Sequence, residues 1–260
     1  MSDNPIKPSN LTRADEERAH YDKMWSNSWL VTQQLGPLTH ARYRLMRREL
    51  QGALTSNTRV IDVGCGNGTF LATLSDVVNP KNLIGVEYSA IGAETAPDIL
   101  KSQILVGDII ALSEELCKDP FDVAVCSEVL EHVDSPKDIL DAIYKILKPN
   151  GMLVVTVPAL MKYWSAQDDV AGHQRRFEYD EFPVLLKSCG FKVENHIGWG
   201  GPIARIYNRA ISKVGPERVM KNGSSPIVKI LAPIVSSILK AQDSHPTKDG
   251  FQIVTRARRV

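Results

Sequence analysis

Cysteine is scarce in this chain of 260 residues, and none of the four (Cys65, Cys117, Cys126, Cys189) stands at a CxxC spacing. That argues against a thiolate zinc knuckle, and Cys65 in a glycine loop and Cys126 in an apolar run read as small buried residues of a reduced, cytoplasmic protein. No apolar run approaches the ~20 residues that a membrane-spanning helix requires. The opening MSDNPIKPSN is polar and lacks the apolar centre of a signal peptide. Excess charge is missing too. Lys and Arg number 31 against 30 Asp and Glu, a net charge of +1, so the basic surface of a general nucleic-acid binder is not expected, although one specific RNA end stays open. The basic clusters Arg175-Arg176 and Arg256 to Arg259 read as solvated faces. There is no internal repeat and no low-complexity segment. What remains is a globular composition, 43% hydrophobic and 23% charged, sufficient to bury a core.

Met1 to Leu11 reads as a disordered tail, followed by helical patterns over Ala14 to Trp25 and Leu38 to Leu50. From Arg59 the pattern changes. Apolar, β-branched runs at Arg59 to Ile61, Leu83 to Val86, Ile104 to Val106, Phe121 to Cys126 and Met152 to Val157 alternate with helix-compatible stretches. Such alternation predicts an α/β, doubly wound, mostly parallel sheet with helices on both faces. Pro136 is placed to open a helix through Leu147, which Lys148-Pro149-Asn150-Gly151 ends as a turn. Phe191 to Ile197 and Phe251 to Arg256 complete the strands. The expected division is 1–58 for the tail and lid helices and 59–260 for the catalytic domain, with a helical insertion over about 198–250.

The most informative segment is Val60-Ile61-Asp62-Val63-Gly64-Cys65-Gly66-Asn67-Gly68-Thr69-Phe70. A strand ends at Gly64, and glycines at 64, 66 and 68 let the backbone turn tightly beneath a ligand. The spacing is GxGxG, not the GxGxxG that lays a pyrophosphate on a helix N-terminus. Asp62 would repel a diphosphate but suits a ligand carrying an amino group. Glu87 ends the next strand, where a carboxylate can accept from both hydroxyls of a ribose. Asp108 follows the third, where it can accept from an adenine amino group while Ile109 covers the ring. Three acids at the carboxyl ends of three successive strands lie on the edge where such sheets bind ligands.

The series VIDVGCGNGTF, IGVEYS, VGDI, FDVAVCSEVLEHV and LKPNGMLVVTVP resembles the class I methyltransferases, over about Arg59 to Val157. The resemblance implies a Rossmann-like sheet of seven strands, the last antiparallel, with S-adenosyl-L-methionine over the glycine loop. Among relatives it is similar to the ubiquinone-pathway O-methyltransferases. In these an arginine of the helix before the loop contacts the methionine carboxylate, and Arg44 occupies the matching place. The implied cofactor set is Arg44, Asp62, Gly64, Gly66, Gly68, Glu87, Tyr88, Asp108, Ile109 and Ser127.

After the fourth strand comes Ser127-Glu128-Val129-Leu130-Glu131-His132-Val133. In a helical turn Glu128, Glu131 and His132 share one face at i, i+3 and i+4. Two carboxylates and an imidazole suit Mg²⁺, Mn²⁺, Fe²⁺ or Zn²⁺, and His173 follows in the loop after the fifth strand. The set resembles the ExxEH…H metal site of the ubiquinone-pathway enzymes and of small-RNA 3′-terminal 2′-O-methyltransferases. That implies Glu128, Glu131, His132 and His173 as ligands of an ion holding two neighbouring substrate oxygens. EVLEHV equally resembles methyltransferases without metal, in which His132 or His173 would be the catalytic base. The chain departs from both metal-using groups: it has no separate RNA-binding domain, and Tyr163 to Asp169 bring aromatics and acids that either shape an acceptor pocket or pack a lid.

Ile203 to Val214 and Pro226 to Lys240 carry apolar residues at helical spacing with Arg and Lys between them, and Pro233 is expected to interrupt the second. A lid, a homodimer contact and a membrane-surface helix all fit this insertion. Tyr21, Trp25 and Trp29 are expected to form the opposite wall. The activity expected is methyl transfer to a hydroxyl oxygen of a small molecule, metal-assisted or not. N- or C-methylation, a 2′-O-methyltransferase of RNA and a silent cofactor-binding subunit stand as alternatives. A dinucleotide oxidoreductase is disfavoured by the GxGxG spacing.

Overall fold

In the computed structural model, which describes residues 13–27, 35–214 and 226–260, seven strands form one sheet in the order β3-β2-β1-β4-β5-β7-β6. They are β1 (Val60–Val63), β2 (Leu83–Glu87), β3 (Ile104–Val106), β4 (Phe121–Ser127), β5 (Leu147–Pro158), β6 (Phe191–Trp199) and β7 (Gln252–Arg259). Strands β1 to β5 pair in parallel, and β7 runs antiparallel between β5 and β6. The order reverses between β1 and β4, and at that switch point the carboxyl ends of the strands leave a crevice.

All four residues of β1 are buried, as a central parallel strand covered on both faces requires. Successive residues feed opposite layers. Ala124, Cys126, Leu153 and Val155 join one core, while Val123, Val125, Met152 and Val154 join the other. The first layer is covered by helices α5 (Ile109–Leu116), α6 (Pro136–Ile146) and α8 (Phe182–Ser188). Helix α6 shows why: Pro136 opens it, and Ile139, Leu140, Ile143 and Ile146 repeat at 3.6-residue spacing and are buried. Each such side chain contributes roughly 1.5–3 kcal/mol of transfer free energy. The second layer is covered by α2 (Pro37–Glu49) and the short α3 (Thr69–Ala72).

Two local expectations change. Residues 148–151 do not leave the sheet: Leu147 already pairs with Phe121, and a bulge with Asn150 at φ 62° absorbs the turn before Met152 resumes the ladder. Pro233 does not interrupt its helix either, since α10 (Pro226–Lys240) runs through it. The remaining helices are α1 (Arg13–Asn27), α4 (Ala90–Glu94), α7 (Ala166–Ala171) and α9 (Pro202–Val214). A third core of Ala41, Leu45, Trp199, Ala204, Leu239 and Phe251 fastens α9 and α10 to α2. Trp29 and the N-terminal tail lie outside the described residues.

Candidate active site

The crevice at the switch point opens into a cavity of about 1020 Å³. Its floor is the glycine loop. Gly64, Gly66 and Gly68 have φ of 71°, 58° and 72°, a left-handed conformation that L side chains rarely adopt. A Cβ at Gly64 would collide with Val129, and one at Gly66 with the Trp25 indole, so the loop is closed from below and lidded from above. Helix α1 supplies that lid: Tyr21, Met24 and Trp25 line the cavity, and Ser89 donates to the Asp22 carboxylate.

Glu87, at the end of β2, accepts from the Gly66 N–H at 2.7 Å and the Ser89 N–H at 2.8 Å, and so holds the loop against its strand. Burial raises its pKa, and those N–H groups work in the opposite direction. Asp62, at the end of β1, is 3% exposed, and its Oδ1 has no hydrogen-bond partner. Burial, then the Glu87 charge, pushes its pKa up to about 8. Asp108 caps α5 by accepting from Ile110 N at 2.9 Å, and with Ile109 and Tyr88 it faces the cavity. Ser127 lines the same space and shares a 2.9 Å hydrogen bond with Thr156.

Past Ser127 the chain does not form the expected helical turn. Glu128 takes φ 57°, a left-handed conformation costly for a residue with a Cβ, and this turns its carboxylate away from the two residues meant to share its face. Glu128 instead accepts from Thr156 Oγ1 at 3.0 Å and Gln252 Nε2 at 2.7 Å, and it pairs with Arg42 at 3.4 Å. The expected four-residue cluster is therefore three residues. Glu131, His132 and His173 place one ligand-type atom each within 4.8 Å of one another. Glu131 is fully buried, neither carboxylate oxygen has a partner, and Oε1 lies 3.9 Å from each histidine Nε2. Burial, then Glu128, raises its pKa well above the usual range. Burial, then His173, lowers that of His132 to about 3, so this imidazole is neutral at physiological pH.

Beneath His173 sits a group that sequence reasoning left undecided. Asp168, 1% exposed, accepts from His173 Nδ1 at 2.8 Å and takes both Arg176 Nε and Nη2, at 2.9 and 3.0 Å. It also closes a capping box with Ser165. Burial opposes its ionisation, yet the hydrogen bonds from His173 and Arg176 hold its pKa well below the ordinary carboxylate range. With Nδ1 bonded to Asp168, the His173 ring turns its Nε2 toward Glu131 and His132.

Two expected cofactor residues are not at the cavity. Arg44 points the other way, donating to Asp243 at 2.7 Å and Ser236 at 3.0 Å, and it clamps α2 to α10. At 100° per residue it lies about 200° around the helix from Arg42, whose guanidinium does line the cavity. Gly68 sits behind the loop, capping α3 against Leu100 and Ile104. Tyr43, half-buried beside Arg42 and Asp62, is a lining residue the motifs did not signal.

A family model described as a methyltransferase domain matches residues 38–196. The chain is 29% identical over 164 residues to the ubiquinone biosynthesis O-methyltransferase of Histophilus somni, covering 58% of this chain and 66% of that protein. It is 37% identical over 112 residues to the protein of the same name from Xylella fastidiosa, covering 39% and 42%. The matches to these curated relatives thus span less than two thirds of their length. The geranyl diphosphate C-methyltransferase of Streptomyces coelicolor superposes with a TM-score of 0.63 over 97% of this chain and 100% of that one, at 14% identity. At that identity it shows a shared fold.

Proposed function

This chain belongs to the methyltransferase-domain family, and on that premise we propose that it moves a methyl group from S-adenosylmethionine to a hydroxyl oxygen of a small molecule. The observation that carries the reading is one cavity holding both the acid-lined glycine loop and the Glu131–His132–His173 cluster. The loop residues fit the cofactor. Asp62 offers an unpartnered, buried oxygen to an ammonium group, and Arg42 offers a cation for the carboxylate beside it. Glu87 is anchored by two backbone N–H groups and keeps lone pairs for two ribose hydroxyls, while Asp108 and Ile109 would hold the adenine. When bound, the cofactor supplies an electrophilic sulfonium methyl.

The acceptor end rests on the histidines. The orphaned carboxylate of Glu131, facing two Nε2 atoms, fits a divalent ion with open positions. Such an ion would lower the pKa of an acceptor hydroxyl. Asp168 would fix the His173 ring for that role, as carboxylates behind ligating histidines do. The names of the Histophilus and Xylella relatives support oxygen as the acceptor. A metal-free version of the same transfer is favoured by the His173–Asp168 pair, which also orients an imidazole as a general base.

The test is transfer of radiolabelled methyl from S-adenosylmethionine to catechol, a probe with two neighbouring hydroxyls, with and without EDTA. Transfer that EDTA abolishes and Mg²⁺, Mn²⁺ or Zn²⁺ restores supports the metal-assisted reading. Transfer untouched by EDTA leaves the histidine base. Tight NADH binding with no response to S-adenosylhomocysteine would overturn both.

A further inference from the structure

The cavity's far end is walled by the insertion: Tyr207, Asn208 and Ile211 of α9, and Leu231, Ala232 and Val235 of α10. The outer faces of the same helices are apolar and uncovered. On α9, Ile203 and Ile206 are 48% and 71% exposed. On α10, Ile230, Ile234 and Ile238 recur at i, i+4 and i+8 and are 65%, 52% and 49% exposed. This stripe is not a stray side chain of the ordinary kind. Leu231, half exposed and also lining the cavity, makes the apolar surface continuous from the outside into the site.

Charge says what such a face meets. From Pro202 to Lys240 the sequence has seven Lys and Arg against a single acid, Glu217, whereas the chain as a whole is balanced at 31 against 30. Outside that stretch the chain carries 24 Lys and Arg against 29 Asp and Glu, so the remainder is acidic on balance. Arg209, Lys213 and Lys240 are exposed on the two helices. Helices without acids, with isoleucine on the outside and cations beside it, combine the two attractions that hold an amphipathic helix in the headgroup region of an anionic bilayer. A second copy on this face would set like charges against like. No helix among the described residues is long and apolar enough to cross a membrane, so the contact is a surface one.

We propose that the α9–α10 face docks the protein on an anionic lipid surface, seating the Leu231 rim of the cavity at the bilayer. This inference does not depend on methyl transfer, and its test reads binding alone. The protein is floated with phosphatidylcholine vesicles and with phosphatidylcholine–phosphatidylglycerol vesicles, at low and high salt. It should float only with the anionic vesicles and be released by salt. Two cations near such a surface are worth about fivefold each, so Arg209→Gln/Lys213→Gln should weaken binding roughly twenty-five-fold. Ile206→Ser/Ile234→Ser should weaken the flotation with anionic vesicles at low salt. Unchanged S-adenosylhomocysteine binding by calorimetry would show that both variants remain folded. Absence of the wild type from anionic vesicles at low salt overturns the proposal. So does a wild-type dimer in sedimentation that the isoleucine variant dissociates, which would assign the face to a second copy.

Discussion

With Asp62 as the proposed partner of the cofactor's ammonium, its burial should tie cofactor binding to pH. Its carboxyl has a pKa of about 8, against 3.8 for an exposed aspartate, because burial and then Glu87 disfavour the charge, and Oδ1 has no donor to offset them. The free protein therefore holds a proton on Asp62 at neutral pH, and a cationic ammonium binds the ionised form. S-adenosylhomocysteine affinity should rise with pH, close to tenfold per unit below about 8, then level off. At pH 6 the deficit is about a hundredfold, roughly 2.7 kcal/mol, and calorimetry in buffers of different ionisation enthalpy should register nearly one proton released per ligand bound. The stability of the unliganded protein moves the other way. Between about pH 4 and 8 the folded chain binds a proton that the unfolded chain has given up, so this group makes stability fall as pH rises across that window. Asp62→Asn should flatten both slopes and cost affinity mainly at pH 8. Wild-type affinity that does not change between pH 6 and 8, with no proton release, would refute the assignment of Asp62 to the ammonium.

Glu87→Ala should weaken S-adenosylhomocysteine binding roughly tenfold or more, since two hydroxyls and two backbone N–H groups lose a shared acceptor at about 1–3 kcal/mol; an unchanged dissociation constant in calorimetry would contradict this. Gly66→Ala forces a Cβ into Trp25 at a left-handed position, at about 1–2 kcal/mol for the backbone alone, and should both weaken the cofactor and shift tryptophan fluorescence as α1 is displaced. Arg42→Ala should reduce cofactor affinity, whereas Arg44→Ala should leave it intact and lower Tm by roughly 2–4 °C through loss of the α2–α10 clamp at about 1 kcal/mol; the reverse pattern would restore Arg44 to the site. Glu131→Gln should cut Zn²⁺ or Mn²⁺ affinity tenfold or more in a metal titration without altering S-adenosylhomocysteine binding, and a wild type that binds neither ion would rule out the metal site.

How much of this was legible depended on how local the signal was. The seven strands, the acids at the ends of β1 and β2 and the acid after β3 are each set by a short stretch: a β-branched run, a turn, a carboxylate. The sheet then has little choice but to bring its carboxyl ends together. The misplaced residues are those whose position depends on rotation about an axis. Arg44 and Arg42 differ by two residues and opposite helix faces, and the phase of α2 was readable from Ala41, Leu45 and Met46, which are buried on it. Glu128 was misread because its spacing to Glu131 and His132 assumes a helix. The left-handed φ that breaks the turn is held by Thr156, Gln252 and Arg42, partners 28 to 124 residues distant in a motif of seven. Asp168 was half legible: the Ser165-x-x-Asp168 box announces the start of α7, yet nothing local shows that the same carboxylate also orients His173 and binds Arg176. The site thus divides physically. The glycine-loop half is built from strand ends and can be read from order alone. The histidine half is built from loops and an insertion, whose side chains are aimed by tertiary contacts, and there sequence spacing names the chemistry without fixing which groups meet.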